Sequence, residues 1–199
     1  TNSSNIEIKA LNTDTIVDPV EGVPGETVVV NITVVDEKDN PVRDGNVTVV
    51  LPDGSIQTVA VNNGSASVNW TIPQDYVSGD YPVNVTYEGT GVYNPSNGTG
   101  NVTVGALNTT TAVGDVSGKP GETITINISV MDQNGNPVRD GDIVVVLPDG
   151  SNQTVTVNNG SASVNWIIPV DFNAGNYSVE AYYQGNDDYN PSNDTSSIN

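Results

Sequence analysis

Cysteine and histidine are absent from this chain of 199 residues, and lysine and arginine together number only 5. Without cysteine there is no disulfide, no thiol nucleophile and no thiolate metal site. Without histidine the chain lacks the commonest acid–base catalyst and the commonest ligand of transition metals. The formal net charge is −19, so no basic patch is available to bind nucleic acid. We therefore expect a protein that is not an enzyme and does not bind nucleic acid.

Long apolar runs are also missing. The longest, residues 143–147, is far shorter than the roughly 20 residues of a membrane-spanning helix. We expect no membrane contact by this chain. Asn, Thr, Ser, Val and Gly dominate the composition instead, which suits strands and turns exposed to water.

An internal repeat organises the whole sequence. Leu11-Asn12-Thr13 recurs as residues 107–109, a shift of 96 residues, and the same shift aligns residues 61–70 with 157–166. Roughly 60% of the aligned positions are identical, and no gap is needed. A period of this length matches one autonomous domain rather than a solenoid repeat of roughly 20–50 residues. The sequence predicts a domain at 1–104 and a second at 105–199. Residues 1–10 are expected to be the end of a preceding repeat in a longer array.

Apolar and polar residues alternate in each repeat. Every second residue from 124 to 130 is apolar, and Thr125, Asn127 and Ser129 lie between them. A period of two with one polar face predicts a half-buried strand. Pro52-Asp53-Gly54 predicts a turn and Asn62-Asn63-Gly64 a hairpin. Trp70 and Trp166 are predicted core residues. About seven such strands per repeat predict an all-β fold of two tandem immunoglobulin-like Greek-key sandwiches.

Two local patterns refine this interpretation. Tyr81 and Tyr177 open the sixth predicted strand after a turn, which is typical of a tyrosine corner. Residues 132–136 place acidic and amide side chains at alternate positions, as a calcium loop does. The sixth residue from Asp132 is Pro137 and the twelfth is Ile143, whereas an EF-hand needs Gly and Glu there. The segment is therefore predicted to be a turn between strands.

These patterns resemble a known family. Pro24-Gly25-Glu26-Thr27, residues 35–42 and residues 87–96, with their second copies, are similar to bacterial Ig-like domains that occur in tandem in surface adhesins. The richness in Asn and Thr and the acidity are most similar to adhesin-like repeat proteins of methanogenic archaea. The resemblance implies a structural or adhesive role at the extracellular cell surface, with no catalytic residue to carry over. The expected partners are other cells, or surface glycans and proteins, reached through the parent protein, and the chain itself is expected to be a monomer.

Fourteen Asn-x-Ser/Thr sequons occur in the chain. They mark glycosylation if the protein is exported through a suitable pathway, although Asn and Thr also alternate on any polar strand face. The candidate sites are Asn31, Asn46, Asn84 and Asn127.

Acidic loops are expected to face each other where the domains meet, because only Gly105-Ala106 joins them. Two acidic rims repel unless they are spaced apart, screened or bridged by a cation with oxygen ligands. The candidate ligands of an interdomain Ca²⁺ site are Asp53, Asp75, Asp140 and Asp187. Solvated loops without a metal are the alternative, and no cofactor is required.

Two functions remain open at this point. The first is a stalk or spacer that projects a distal binding region of a large adhesin. The second is a direct binding module that recognises a glycan or protein through its loops. The near-identity of the repeats favours the spacer, while the difference between residues 90–92 and 186–188 leaves the binding module open.

Overall fold

The computed structural model describes residues 5–198, which form fifteen strands and no helix. Since these residues contain no helix at all, none can cross a membrane as a helix. The chain divides into two compact units, domain 1 (Thr1–Gly105) and domain 2 (Ala106–Asn199). The all-β class is confirmed.

Domain 1 is a sandwich of a three-stranded and a five-stranded sheet, in the orders β1-β3-β6 and β2-β8-β7-β4-β5. All pairings are antiparallel except that of β2 with β8. The strands are β1 (Thr13–Val17), β2 (Val20–Gly22), β3 (Thr27–Asp36), β4 (Asn46–Val50), β5 (Ile56–Ala60), β6 (Ser65–Thr71), β7 (Gly79–Tyr87) and β8 (Ser96–Val104).

Domain 2 repeats this architecture with sheets in the orders β13-β10-β9 and β12-β11-β14-β15. A single parallel bridge between Val116 and Ile198 takes the place of β2. The strands are β9 (Thr109–Val113), β10 (Thr123–Asp132), β11 (Asp142–Val146), β12 (Asn152–Thr156), β13 (Ser161–Ile167), β14 (Tyr177–Tyr183) and β15 (Ser192–Ile198). The tandem Ig-like sandwich fold is confirmed.

The core of each domain lies between its two sheets, and the alternation in the sequence sets its composition. The inward residues of β3 are buried, while Asn31 between them is exposed. Trp70 and Trp166 are 4% and 5% exposed, so their prediction as core residues is confirmed. Each ring meets an aromatic neighbour edge-on, Tyr76 in domain 1 and Phe172 in domain 2. Burial of these apolar side chains is the main stabilising contribution to a fold that has no disulfide.

The Asn62-Asn63-Gly64 turn forms, with positive φ at Asn63 and Gly64. The hairpin expected from it is nevertheless wrong, because β5 and β6 lie in different sheets and only Asn62 and Ser65 bridge them. The reason is that Gly64 bonds to residues distant in sequence. Gly64 N donates to the Val42 carbonyl at 2.7 Å, and the Gly64 carbonyl accepts from Val34 N at 2.8 Å. These bonds fix the turn where the chain crosses between the sheets.

One edge of the three-stranded sheet is covered by a side chain from the opposite sheet. The Gln57 amide on β5 donates through Nε2 to the backbone carbonyl of Asn69 on the edge strand β6, at 3.0 Å. Gln153 makes the same bond to the Asn165 carbonyl at 3.1 Å. A peptide carbonyl on the open edge is thereby satisfied without a further strand.

Two predicted local motifs are confirmed. Tyr81 Oη donates to the Val77 carbonyl and Tyr177 Oη to the Asn173 carbonyl, both at 3.0 Å, which is the tyrosine-corner bond. Asp132 organises the turn after β10, where its Oδ1 accepts from the N–H groups of Asn134 and Asn136 at 2.9 and 2.8 Å. The carboxylate is committed to backbone donors, as in an Asx-turn.

Candidate functional site

The loops at one end of each domain differ in sequence and in side-chain contacts between the two copies. We call residues 37–45 and 133–141 the BC loops, and residues 88–95 and 184–191 the FG loops. A buried tyrosine supports the BC loop in both domains. Tyr87 Oη donates to the Asp44 carbonyl at 2.8 Å, and Tyr183 Oη donates to the Asp140 carbonyl at 2.9 Å. Burial raises the pKa of Tyr183 to about 12.

The residue after that carbonyl must be glycine. Gly45 and Gly141 have φ of 105° and 113°, and a Cβ at either would lie 2.6 Å from the tyrosine ring. Both the positive φ and the close approach exclude a side chain. The support of the BC loop is therefore the same in the two domains.

In domain 2 the BC and FG loops are joined by polar contacts. Arg139 Nη2 lies 3.7 Å from Asp188 Oδ2, and Arg139 Nε donates to Tyr189 Oη at 3.1 Å. The hydrogen bond to Tyr189 raises the pKa of Arg139, and the neighbouring Asp188 contributes to the shift. Asn186 Nδ2 donates to Asp140 Oδ1 at 2.7 Å. The surface is consequently charged and cross-linked by side chains.

The FG loop of each domain is also held by bonds of its own. In domain 2, Asn186 Oδ1 accepts from the N–H groups of Asp188 and Tyr189, at 2.9 and 3.0 Å. In domain 1, Thr90 Oγ1 accepts from the N–H groups of Val92 and Tyr93, at 3.2 and 3.3 Å. Val92 stands where domain 2 has Asp188, and 59% of its surface is exposed. Within the described part of the chain, the Arg139–Asp188 ion pair has no counterpart at Arg43. The same tyrosine–glycine support thus carries an exposed apolar residue in domain 1 and a charged pair in domain 2.

A carboxylate holds each core tryptophan. Trp70 Nε1 donates to Asp53 Oδ2 and Trp166 Nε1 to Asp149 Oδ2, both at 3.0 Å. The other oxygen of Asp53 accepts from Ser55 N and Oγ at 2.9 and 2.6 Å. Bonds from Ser55 and Trp70 hold the pKa of Asp53 below its usual range. Asp53 is therefore engaged in stabilising the fold of its own domain.

The four candidate calcium ligands occupy different places. Asp53 bonds to Trp70 and Ser55 as above, Asp75 is exposed in the loop before β7, and Asp140 accepts from Asn186. Asp187 is exposed on the FG loop of domain 2. Among residues 5–198, no three acidic side chains within either domain are grouped so that they could hold one metal ion. The interdomain Ca²⁺ site stays a prediction.

The candidate glycosylation sites all lie on exposed strand positions. Asn31 lies on β3, and Asn127 lies at the equivalent position on β10. Asn46 is the first residue of β4, and Asn84 lies within β7. Thr99 Oγ1 donates to Asn84 Oδ1 at 3.2 Å, and Asn84 is exposed on the sheet. The positions are sterically accessible, and their modification stays a prediction.

Sequence reasoning missed the Arg139–Asp188–Tyr189 contact and the tryptophan–carboxylate bonds. The only signal for the first was the difference between residues 90–92 and 186–188. The second was signalled by the recurrence of Asp53 at position 149 with a tryptophan 17 residues later in each copy. A turn aspartate in Pro-Asp-Gly has a local explanation, so this recurrence was not by itself informative.

Solved structures with a similar arrangement come from several kinds of protein. An adhesin of Yersinia pseudotuberculosis, InvE, is 16% identical with a TM-score of 0.40, over 94% of this chain and 58% of that structure. The Escherichia coli adhesin FdeC is 17% identical with a TM-score of 0.41, over 92% and 63%. A titin fragment is 14% identical with a TM-score of 0.45, over 96% and 95%. No functional inference follows from similarity at this level, and this chain spans less than two thirds of either adhesin structure.

Sequence comparison is more specific. No curated protein sequence matches the chain. Residues 108–199, however, match the family described as bacterial Ig-like domain (group 3), and they cover nearly all of domain 2. Domain 1 shares roughly 60% of the aligned residues with domain 2 and has the same sheets. Residues 108–199 therefore belong to the bacterial Ig-like domain family, as the resemblance implied.

Proposed function

We propose that this chain is a non-catalytic spacer from the stalk of an extracellular cell-surface adhesin. Its task is to carry a distal binding region away from the cell, so its own contacts with partner cells are indirect. The observation that carries this proposal is the repetition of the internal frame. The tyrosine under the BC loop, the tryptophan–carboxylate bond and the tyrosine corner recur at equal distances within 0.1 Å.

A spacer requires stability in each module and tolerates change on the surface. Many of the residues that differ between the domains lie on outward strand faces and in loops, while the buried supports are retained. The negative charge of −19 keeps such modules soluble and discourages lateral association. None of these features requires a ligand.

The test is whether length increases with the number of modules. Domain 1 expressed alone, as residues 11–104, is expected to unfold cooperatively, because it has its own core. The spacer proposal then requires that small-angle scattering of the full chain give a maximum dimension about twice that of domain 1, because only domains that extend away from each other add reach. A particle hardly longer than one domain would contradict the spacer, because folded-back domains add no reach.

A second candidate function is direct recognition by the FG loop of domain 2. The observation that favours it is the charged contact of Arg139 with Asp188 and Tyr189, which domain 1 does not share. The full chain and its Arg139→Ala variant would be applied to a glycan array and to whole cells. Binding that is lost in the variant, with Arg43→Ala as the matched control, would favour the binding module. The spacer predicts that neither protein binds.

A further inference from the structure

One Asn-x-Thr sequon occupies the same place in both domains. Asn97-Gly98-Thr99 lies on β8, and Asn193-Asp194-Thr195 lies 96 residues later on β15. Asn97 and Asn193 are each the second residue of their strand, and both are exposed on the larger sheet. The two sequons differ in the side chains that lie opposite them on the neighbouring strand.

In domain 1 both polar side chains of the sequon are bonded to β7. Thr86 lies opposite Asn97 and donates through Oγ1 to the Asn97 Oδ1 at 2.8 Å. Thr99 lies opposite Asn84 and donates through Oγ1 to the Asn84 Oδ1 at 3.2 Å. A saccharide on Asn97 would therefore extend from an amide that is fixed by a threonine, with no aromatic ring opposite it.

Two substitutions on β14 release the sequon of domain 2. Tyr182 stands where domain 1 has Thr86, and Glu180 stands where it has Asn84. Tyr182 Oη donates to Glu180 Oε2, and this hydrogen bond raises the pKa of Tyr182. The two new side chains thus bond to each other instead of to β15. Within residues 5–198, the side chains of Asn193 and Thr195 form no hydrogen bond.

The same substitutions place an aromatic side chain beside the free amide. Tyr182 lies directly opposite Asn193, at the close spacing of a cross-strand pair, and 38% of its surface is exposed. A groove of about 390 Å³ opens beside both residues. Its lining is uncharged, although the chain has 24 acidic residues, and consists of Tyr182, Tyr183, Gln184, Pro191, Ser192 and Asn193. Such a groove suits a neutral polar group rather than an ion.

A sugar ring has the chemistry that this groove presents. One face of a pyranose carries C–H groups, which an aromatic side chain can cover, while its edge carries hydroxyl groups. Gln184 lines the groove and donates through Nε2 to the Tyr182 carbonyl at 3.0 Å. That bond fixes the amide and leaves its oxygen as an acceptor for a hydroxyl group. The sequon itself supplies the point of attachment at Asn193.

We propose that Asn193 is a saccharide attachment site and that its first sugar packs against Tyr182 in the groove. The proposal rests on the extracellular location in the proposed function, where such modification occurs. The sugar comes from a lipid diphosphate-linked donor. A bond forms between its anomeric carbon and Asn193 Nδ2, the bond to the diphosphate breaks, and one amide proton is released to solvent. Domain 2 thereby carries a saccharide held against its sheet, whereas one on Asn97 would extend freely.

The packing can be tested without a transferase, because a single introduced cysteine is the only thiol in the chain. The full-length Asn193→Cys variant is alkylated with the iodoacetamide derivative of N-acetylglucosaminylamine, and with plain iodoacetamide as the control. Melting of domain 2 is followed through the indole N–H signal of Trp166. The sugar should raise the melting temperature by about 2–6 °C over the control, since it covers an aromatic side chain. Nuclear Overhauser contacts between the sugar and Tyr182 should accompany the gain.

Two matched variants define the specificity of this effect. Tyr182→Thr introduces the residue of domain 1 and should abolish both the gain and the contacts. Asn97→Cys with the same sugar should not stabilise domain 1, which is followed through Trp70. A gain that persists in Tyr182→Thr, an equal gain in domain 1, or no gain at position 193 would each overturn the packing.

Attachment is tested on the unaltered full chain, secreted from yeast and analysed by mass spectrometry of its glycopeptides. We expect a saccharide on Asn193, and none there in Thr195→Ala, which lacks the hydroxyl that the sequon requires. An unmodified Asn193 would overturn the attachment site. These outcomes are independent of the scattering experiment, so a folded-back pair of domains would contradict the spacer alone.

Discussion

Domain 1 and domain 2 carry different FG loops on the same support. Under both loops a buried tyrosine donates to a BC-loop carbonyl at 2.8–2.9 Å, next to a glycine that no other residue could replace. Above that support, domain 1 exposes Val92, and domain 2 pairs Arg139 with Asp188. The comparison shows that the loop sequence can change in charge and hydropathy while the frame stays fixed, because the frame is stabilised from below rather than by the loop itself.

The largest loss of stability is expected when a core tryptophan is removed, and this change tests the frame that the two domains share. Trp70→Ala and Trp166→Ala should each destabilise their own domain by about 3–5 kcal/mol, since a large buried ring and its bond to a carboxylate are lost. Urea unfolding followed by far-UV circular dichroism measures the loss of stability in the altered domain, while the fluorescence of the remaining tryptophan reports whether the unaltered domain is affected. The exposed Asn69→Ala change is the control, with an expected effect below about 0.5 kcal/mol. A large difference between the two tryptophan variants would mean that the frames are not equivalent.

The next largest effect concerns the tyrosine under the BC loop. Tyr87→Phe and Tyr183→Phe should each cost about 1–2 kcal/mol, because a part-buried carbonyl loses its donor. The effect should be equal in the two domains despite their different FG loops. Tyr81→Phe removes a more exposed hydroxyl and should cost less. If Tyr183→Phe alone were harmful, the charged loop of domain 2 would contribute to the support after all.

A smaller effect, dependent on pH, is expected at Asp53. Its folded pKa is lowered by bonds from Ser55 and Trp70, so ionisation stabilises the folded state above the unfolded pKa of about 3.9. That contribution is lost as the pH falls through the folded pKa. The difference in melting temperature between the wild type and Asp53→Asn should therefore be constant near neutral pH and shrink below about pH 4. Asp149→Asn should give the same profile, because Ser151 and Trp166 lower the pKa of Asp149 in the same way.

Comparison with the variant is needed because acid also acts on the whole chain. The net charge of −19 is reduced as the pH approaches the pI near 4.1, which relieves repulsion in the wild type and the variant alike. Subtracting the two melting curves removes that common contribution. A difference that grows on acidification would contradict the assigned role of Asp53.

The smallest effect should distinguish the two domains. Arg139→Ala breaks an ion pair at a half-exposed site and should destabilise domain 2 by less than about 1 kcal/mol. Arg43→Ala should change domain 1 by less than about 0.5 kcal/mol. The Arg139 effect should diminish in high salt, and a double-mutant cycle with Asp188→Asn measures the coupling. Equal effects of the two arginine variants would show that the ion pair contributes nothing specific.

Periodicity was sufficient to predict most of the fold. The alternation in residues 28–34 and 124–130 identified buried faces, and the recurring tyrosines identified the corner between strands. The path of the chain after Asn63-Gly64 could not be predicted in this way. Its turn geometry is local, but the sheet that each flanking strand joins is decided by the bonds of Gly64 to Val34 and Val42, which are distant in sequence. The short strand β2 was missed for a different reason, because three residues are too few to show an alternating pattern.

The candidate sites were less predictable than the fold. A carboxylate in a loop looks the same in sequence whether it faces water, a cation or an indole N–H. Asp53 and Asp187 were proposed on equal grounds, yet one accepts from Trp70 and Ser55 and the other is exposed on a loop. Only the tertiary partner distinguishes them, and that partner lies 17 residues away for Asp53.

The bond from Gln57 to the edge of β6 has a consequence for synthesis. Two neighbouring domains with roughly 60% identity emerge in succession, so strands of one can pair with the open edge of the other before either is complete. An edge carbonyl that is already bonded to a glutamine amide offers one site fewer for such mispairing. The same glutamine in domain 2 protects the second edge. A side chain that contributes little to the final stability can in this way limit misfolding between near-identical neighbours.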